Sequence, residues 1–345
     1  MGDAVESFVE DLARLVRGEA LSRARARAFL DAVLEGSVEP TLIAGMLVAL
    51  RIKGEEPEEL AGFAEAMVDH MVPIDVAQPV VDTCGTGGDR ARTINVSTGA
   101  ALVAAAAGAR VLKHGGRASS SLTGSADVLE ALGIPTQLGA EELRAELERT
   151  RFGFAFAPRF HPAMAQVAPV RRALGVPTAF NVLGPLVNPA RATLRLVGVW
   201  EDGFMEPVAR VLATLGVRRA LVVHGEDGLD EISVSAETRA LELLSDAKGG
   251  VELVWHRVRP EDLGVARWPQ AAVQGGDAAH NAAILEAVLE GRAGGAVLDV
   301  ILANAGAALW IAGLADSPRE GVERARSAIE EGAAGATLAS LRSRG

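Results

Sequence analysis

Apolar residues recur every three or four positions from the start of the chain to about residue 75. Val5, Phe8, Leu12 and Leu15 form one such stripe, and Ala26, Leu30, Val33 and Leu34 form another. This spacing puts the apolar side chains on one face of a helix. In Glu39-Pro40-Thr41-Leu42 the proline marks a helix start, because its ring suits the first helical turn. Residues 55–68 give a further helical face. The pattern changes at Pro79. Val80-Val81-Asp82 predicts a short strand that runs into a glycine-rich loop, and residues 98–108 predict a helix. Strand-like runs follow at residues 110–112, 152–156, 194–199, 220–223 and 237–241. Helical runs lie between them at 125–132 and 205–215, and the C-terminal third reads as mostly helical. Alternation of this kind predicts an α/β fold with a mostly parallel sheet, helices on both faces, and a small all-helical segment in front.

Composition sharpens this picture. The chain has 345 residues, 49 % of them apolar and 23 % charged, which suits a folded protein of about two domains. Tyrosine is absent and Phe and Trp number 9 and 4, so the core is expected to rest on Ala, Val and Leu. The net charge of −11 and the lack of a basic run argue against a nucleic-acid partner. Cys84 is the single cysteine, which predicts no internal disulfide and a reducing, cytoplasmic setting. The first residues carry acidic groups and no basic flank, so no secretory leader is expected. The most apolar stretch, residues 99–109, is shorter than the ~20 residues a bilayer requires, so no membrane association is expected.

Asp82-Thr83-Cys84-Gly85-Thr86-Gly87-Gly88-Asp89 is the most informative segment. Three glycines in four positions let the backbone turn tightly and expose its N–H groups. Asn95-Val96-Ser97-Thr98 then opens an apolar helix with capping residue types. A strand, a glycine loop and a helix N-terminus together predict an anion site, with phosphate as the expected guest. The loop is not a P-loop, since Asp89-Arg90 stands where Lys-Ser/Thr is required. It is not a dinucleotide fingerprint either, since Arg90 occupies the position of a small residue.

These residues lie within a longer series of motifs. Gly85-Thr86-Gly87-Gly88-Asp89, Asn95-Val96-Ser97-Thr98, Lys113-His114-Gly115 and Ser125-Ala126-Asp127-Val128-Leu129-Glu130 follow one another in the order of the anthranilate phosphoribosyltransferase family. So do His161-Pro162-Ala163-Met164, Phe180-Asn181-Val182-Leu183-Gly184-Pro185-Leu186-Val187-Asn188-Pro189, His224-Gly225, Asp230-Glu231 and Asn281-Ala282. The chain closely resembles that family over residues 85–282, and more loosely over its helical start. The resemblance implies transfer of the phosphoribosyl group of phosphoribosyl pyrophosphate (PRPP) to the amino group of anthranilate, with release of pyrophosphate, in tryptophan biosynthesis. It implies a helical domain of residues 1–75, joined by helices from about 165–185, beside a phosphoribosyl-binding domain of residues 76–345. It also implies a homodimer that pairs through the helical domain.

By the same resemblance, Gly85, Thr86, Gly87, Gly88 and Asp89 cradle the pyrophosphate. Thr93, Asn95, Ser97 and Thr98 add polar contacts, Lys113 adds a cation, and Ser120 and Ser121 belong to a serine loop over the donor. Two Mg²⁺ ions are implied, one on Ser97 and one on Asp230 and Glu231; both sets offer the oxygen ligands this ion prefers. Gly85, His114, Gly116, His161 and Arg171 are implied at the acceptor, with Arg171 suited to a carboxylate. No residue is assigned as acid or base, because an aniline nitrogen is nucleophilic without deprotonation. Three positions depart from the family pattern. Gly116 stands in place of asparagine, Leu122 in place of a basic residue and Pro177 in place of arginine. These changes leave open a phosphoribosyltransferase acting on a different aromatic acceptor.

Overall fold

The computed structural model describes residues 2–89, 91–117, 122–246 and 248–343. Four helices open the chain: α1 (Gly2–Val16), α2 (Arg23–Leu34), α3 (Pro40–Lys53) and α4 (Pro57–Asp69). Pro40 and Pro57 occupy first turns, where a missing N–H costs no helical hydrogen bond. The buried Glu59 ties these helices together. Its carboxylate accepts from Leu21 N and Glu56 N at 2.8 Å and from Lys53 Nζ at 2.9 Å.

Alternating strands and helices follow: β1 (Val81–Gly85), α5 (Val96–Ala106), β2 (Val111–Gly115), α6 (Ser125–Ala131), α7 (Ala140–Thr150), β3 (Phe152–Phe156) and α8 (Ala157–Phe160). The helices α9 (Ala168–Leu174) and α10 (Ala179–Leu186) then pack back against α3 and α4. Next come β4 (Leu194–Gly198), α11 (Met205–Thr214), β5 (Arg219–Gly225), β6 (Thr238–Ser245) and β7 (Val251–Val258). Helices α12 (Ala278–Leu289), α13 (Ala296–Ile311), α14 (Pro318–Glu330) and α15 (Ala333–Arg342) complete the fold. No helix among the described residues is long and apolar enough to cross a membrane.

The seven strands form one sheet in the order β3-β2-β1-β4-β5-β6-β7. The first five pair in parallel, as the alternation predicts, and β6 and β7 add an antiparallel edge. β7 is missing from the expected strands because Val251 and Trp255 stay about half exposed on the edge, so no buried apolar run marks it. Side chains on the central strands alternate between two cores. On β5, Leu221 and Val223 enter the core built with α5 and α13, whereas Ala220 and Val222 enter the one shared with α2, α3, α4 and α10. The leading helices and one sheet face therefore share a continuous apolar interior.

A buried ion pair crosses the sheet centre. Asp82 of β1 and Arg195 of β4 face each other in register, with Arg195 Nη2 3.1 Å from Asp82 Oδ2. Asp82 also accepts from His114 N at 3.1 Å and Asn188 Nδ2 at 2.9 Å, and Arg195 Nη2 donates to Pro185 O. One carboxylate thus joins β1, β2, β4 and the segment leaving α10. Removing one member of a buried pair strands the other without compensation, at a cost of about 3–5 kcal/mol. Asp82→Ala is expected to lower the unfolding free energy by that amount in urea titration. The double variant Asp82→Leu/Arg195→Leu should lose less, because it leaves no orphaned charge.

Candidate active site

The strand order reverses between β1 and β4, so the loops leaving their carboxyl ends diverge and open a crevice. Gly85 and Gly198, the last residues of those strands, are register partners. A Cβ on Gly85 would lie 2.2 Å from Asp230 Oδ2, and one on Gly198 would lie 1.5 Å from Asp230 O. The glycine pair is therefore a seat for Asp230. Asp230 and Glu231 belong to the connection from β5 to β6. Asn304 of α13 holds that connection, accepting from Ile232 N at 3.0 Å and donating to Ile232 O at 3.0 Å.

From this seat both carboxylates reach backbone donors. Asp230 Oδ2 accepts from Gly87 N at 2.6 Å, and Glu231 Oε1 accepts from Ser97 N at 3.2 Å in the first turn of α5. Burial pushes both carboxyls well above the usual carboxylate range. The neighbouring Asp89 adds to the rise at Asp230, and Asp230 adds to the rise at Glu231. Asp89 is itself raised, chiefly by burial. The buried pair Asp230 and Glu231 gains by taking up a cation, and carboxylate oxygens are the donors a hard divalent ion such as Mg²⁺ prefers, though no group of three or more candidate ligands gathers among the described residues. Ser97 Oγ, beside Glu231, accepts from Lys113 Nζ at 3.2 Å.

Asp89, Asp230, Glu231 and Ser97 line a cleft with a cavity volume of about 170 Å³. Of the residues expected at the donor, Gly85, Gly87, Asp89, Thr93, Asn95 and Ser97 line it together with Asp230 and Glu231. Others lie just behind the wall. Thr86 bonds Gly198 O through its N–H and accepts Trp200 N on its hydroxyl. Gly88 packs against Trp200, and Thr98 is fully buried and donates to Ser125 Oγ. Lys113 lies beneath the floor, where Nζ also donates to Thr83 O. Ser120 and Ser121 lie outside the described residues.

Of the residues expected at the acceptor, Gly85 lines the cleft, while His114 and His161 meet near the ends of β2 and β3. His114 and His161 rings are 5.0 Å apart. His114 Nδ1 lies 2.9 Å from Ala155 O and donates to it, which leaves Nε2 as the acceptor nitrogen. His161 Nε2 is buried without a hydrogen-bond partner. Arg171, on α9, stacks over Phe180 at 5.5 Å and forms no ion pair among the described residues. At Gly116 the nearest atom to an added Cβ among the described residues is Ala157 Cβ at 3.9 Å, an ordinary contact that would admit a side chain. Leu122 is 60 % exposed and lines the donor cleft.

Sequence patterns did not mark several working residues. Gly198 looks like any strand-end glycine until Asp230 is placed on it. Arg92 and Thr123 also line the cleft. Asn281 bridges the rim, donating to Asn95 Oδ1 at 2.9 Å and accepting from Gly276 N at 2.7 Å. Asn281 differs from the others in that the Asn281-Ala282 motif already marks it in the sequence, though not its place at the rim.

A cleft at the switch point of a parallel sheet, offering backbone amides beside buried acids, fits a class of enzyme that handles an anionic sugar donor. Comparison with known proteins agrees. Residues 9–71 match the helical bundle domain of a glycosyl transferase family, and residues 77–335 match its a/b domain. The anthranilate phosphoribosyltransferase of Rubrobacter xylanophilus is 48 % identical over 95 % of each chain. That of Thermomicrobium roseum is 50 % identical over 94 % of this chain and 92 % of its own. The crystal structure of the Thermus thermophilus enzyme superposes with a TM-score of 0.88 at 42 % identity, covering 96 % of this chain and 98 % of that one. The Saccharomyces cerevisiae enzyme in complex with PRPP and Mg gives 0.88 at 28 % identity, covering 98 % and 97 %. The chain belongs to this glycosyl transferase family and, within it, to the anthranilate phosphoribosyltransferases.

Two outcomes follow from the geometry. Gly198→Ala must displace Asp230, and unfolding free energy should fall by ~2–3 kcal/mol in urea titration. Gly203→Ala, with no atom within 4 Å of the added carbon, should change little. The second outcome concerns the histidines. Burial depresses His114 to about 4 and His161 to about 3. The unfolded chain binds their protons near pH 6.5 while the folded chain refuses them until about pH 4, so their contribution falls as pH drops through that window. By pH 5 the loss is about 2 kcal/mol per histidine. Urea midpoints from pH 7.5 to 4.5 should fall less steeply in His114→Asn/His161→Asn than in wild type.

Proposed function

We propose that this enzyme transfers the 5-phosphoribosyl group of PRPP to the amino group of anthranilate, releasing pyrophosphate, as a step of tryptophan biosynthesis. One observation carries this reading: a buried acid pair and the loop amides it bonds share one cleft, and two neutral histidines meet at the ends of the neighbouring strands. The bond from the anomeric carbon to the pyrophosphate oxygen breaks, the bond to nitrogen forms, and the amine proton leaves to solvent.

The glycine loop and the first turn of α5 supply N–H donors for the departing diphosphate. Gly87 N and Ser97 N are also the amides that Asp230 and Glu231 bond, which sets the acid pair beside the loop that receives the diphosphate. Mg²⁺, when bound, offsets the charge gathered on the diphosphate. Asp230 and Glu231 would hold one ion and Ser97 a second. Arg171 binds the anthranilate carboxylate bidentately, and His114 and His161 flank the ring. Positioning and charge stabilisation account for the rate, with no residue acting as base.

The helical domain of residues 1–75, joined by α9 and α10, forms the acceptor wall, and residues 76–345 form the donor-binding domain. Exposed Val9, Val16 and Ile52 on α1 and α3 support pairing of two chains through the helical domain. The single buried cysteine and the acidic balance suit a cytoplasmic enzyme. Room for a side chain at Gly116 favours a second reading, in which a bulkier aromatic amine is the better acceptor.

The test is loss of anthranilate fluorescence with PRPP and Mg²⁺. Asp230→Ala and Glu231→Ala should each cut the rate at limiting Mg²⁺ by ~100-fold or more, the scale of losing a site for developing charge. Wild-type behaviour of both variants would refute the metal assignment. Arg171→Ala should raise the anthranilate KM by ~10–100-fold. Among ring-substituted anthranilates, a larger kcat/KM for one than for anthranilate would establish the second reading.

A further inference from the structure

A phosphorylated donor gains from a side-chain cation in direct reach, and Lys113 does not line the cleft. Its side chain is 1 % exposed, and its Nζ already donates to Thr83 O and Ser97 Oγ. Among the described residues lining the cleft, Arg92 alone is basic, set against the three carboxylates of Asp89, Asp230 and Glu231. Arg92 is exposed and, among the described residues, has neither an ion pair nor a side-chain hydrogen bond.

Its backbone is held in an unusual place. Arg92 has φ of +52°, a left-handed conformation that glycine adopts more readily than arginine. Three backbone contacts enforce it. Gly275 N donates to Arg92 O at 2.8 Å, Ile94 N donates to Val273 O at 3.0 Å, and Thr93 bridges to Gln274. A residue held in this conformation with a free charged side chain at a ligand cleft is positioned rather than incidental.

We infer that Arg92 binds a phosphate group of the sugar donor and sets donor affinity. This rests on the phosphoribosyl-transfer reading above. The planar guanidinium presents several N–H donors to a phosphate and stays charged at every working pH. It supplies at the rim the positive charge that Lys113 gives only from below.

The experiment compares full-length wild type with Arg92→Ala, Arg92→Lys and Arg92→Gly. Steady-state kinetics give KM for each substrate. Calorimetry gives affinities for two probes in the presence of Mg²⁺, inorganic diphosphate and ribose 5-phosphate. Arg92→Ala should raise the PRPP KM by ~10–100-fold, the worth of charge-assisted hydrogen bonds, with the anthranilate KM changed less than ~twofold. Arg92→Lys should recover part of the loss. Arg92→Gly should melt higher than wild type, as backbone strain is relieved, while binding donor more weakly. Weakening of diphosphate or of ribose 5-phosphate identifies which phosphate Arg92 holds. A PRPP KM within twofold of wild type in both Arg92→Ala and Arg92→Gly, with neither probe weakened, overturns the inference. Failure of wild type to turn over PRPP with anthranilate would instead refute the activity, and the two probes would still report on Arg92.

Discussion

Everything at the cleft depends on a steric condition at the sheet centre: no side chain at Gly85 or Gly198. Parallel pairing brings these two residues to the same level on adjacent strands. The chain carrying Asp230 lies directly on them, so close that a single added carbon at Gly198 would overlap its carbonyl oxygen. Asn304 pins the next residue by a reciprocal pair of hydrogen bonds. Only from this depth do Asp230 and Glu231 reach the amides of Gly87 and Ser97. The acid pair, the glycine loop and the helix N-terminus form one unit because two glycines let three segments converge.

The electrostatics are layered around that unit. Beneath the cleft, Asp82 and Arg195 neutralise each other within the sheet, and Lys113 contributes a buried positive charge next to Ser97. In the cleft, Asp89, Asp230 and Glu231 face one another with little solvent, which raises all three. Such an arrangement costs stability in isolation. In the proposed function a divalent cation and a polyanion would offset it, with the acids as ligands and the loop amides as phosphate donors. The acids and amides that now satisfy each other are thus the groups the donor and its cation would engage.

The sequence made the fold class and the donor loop legible because both are local. Helical spacing, strand–helix alternation and the Gly85–Asp89 turn each declare themselves within a dozen residues. The position of Asp230 and Glu231 at the cleft was legible through motif order, as a lone acidic dipeptide would have read as a solvated turn. What stayed hidden is non-local. Gly198 matters through a residue 32 positions away, counting from 198 to 230. Arg195 reads as surface charge until Asp82 faces it across the strand register. Thr86 and Thr98 belong to the right motifs, yet their side chains brace the wall instead of lining it. β7 escaped because an edge strand with half-exposed Val251 and Trp255 has no buried face to report.

The acceptor group poses a different problem of alignment, because it is assembled from other elements than the donor cleft. His114 ends β2, His161 follows α8, and Arg171 rides on α9, which packs with the leading helices. If these residues receive the acceptor as proposed, nucleophilic capture would require them to stay in register with the glycine loop. The Asp82 carboxylate offers the coupling. It accepts from the backbone of His114, pairs with Arg195 beside β1, and holds Asn188, while Arg195 grips the carbonyl of Pro185. Pro185 and Asn188 are where the chain passes from the helical wall back into the sheet. The same ion pair that joins three strands therefore also ties the segment leaving α10 to the sheet, so that in the proposed function these buried charges would serve alignment as well as stability.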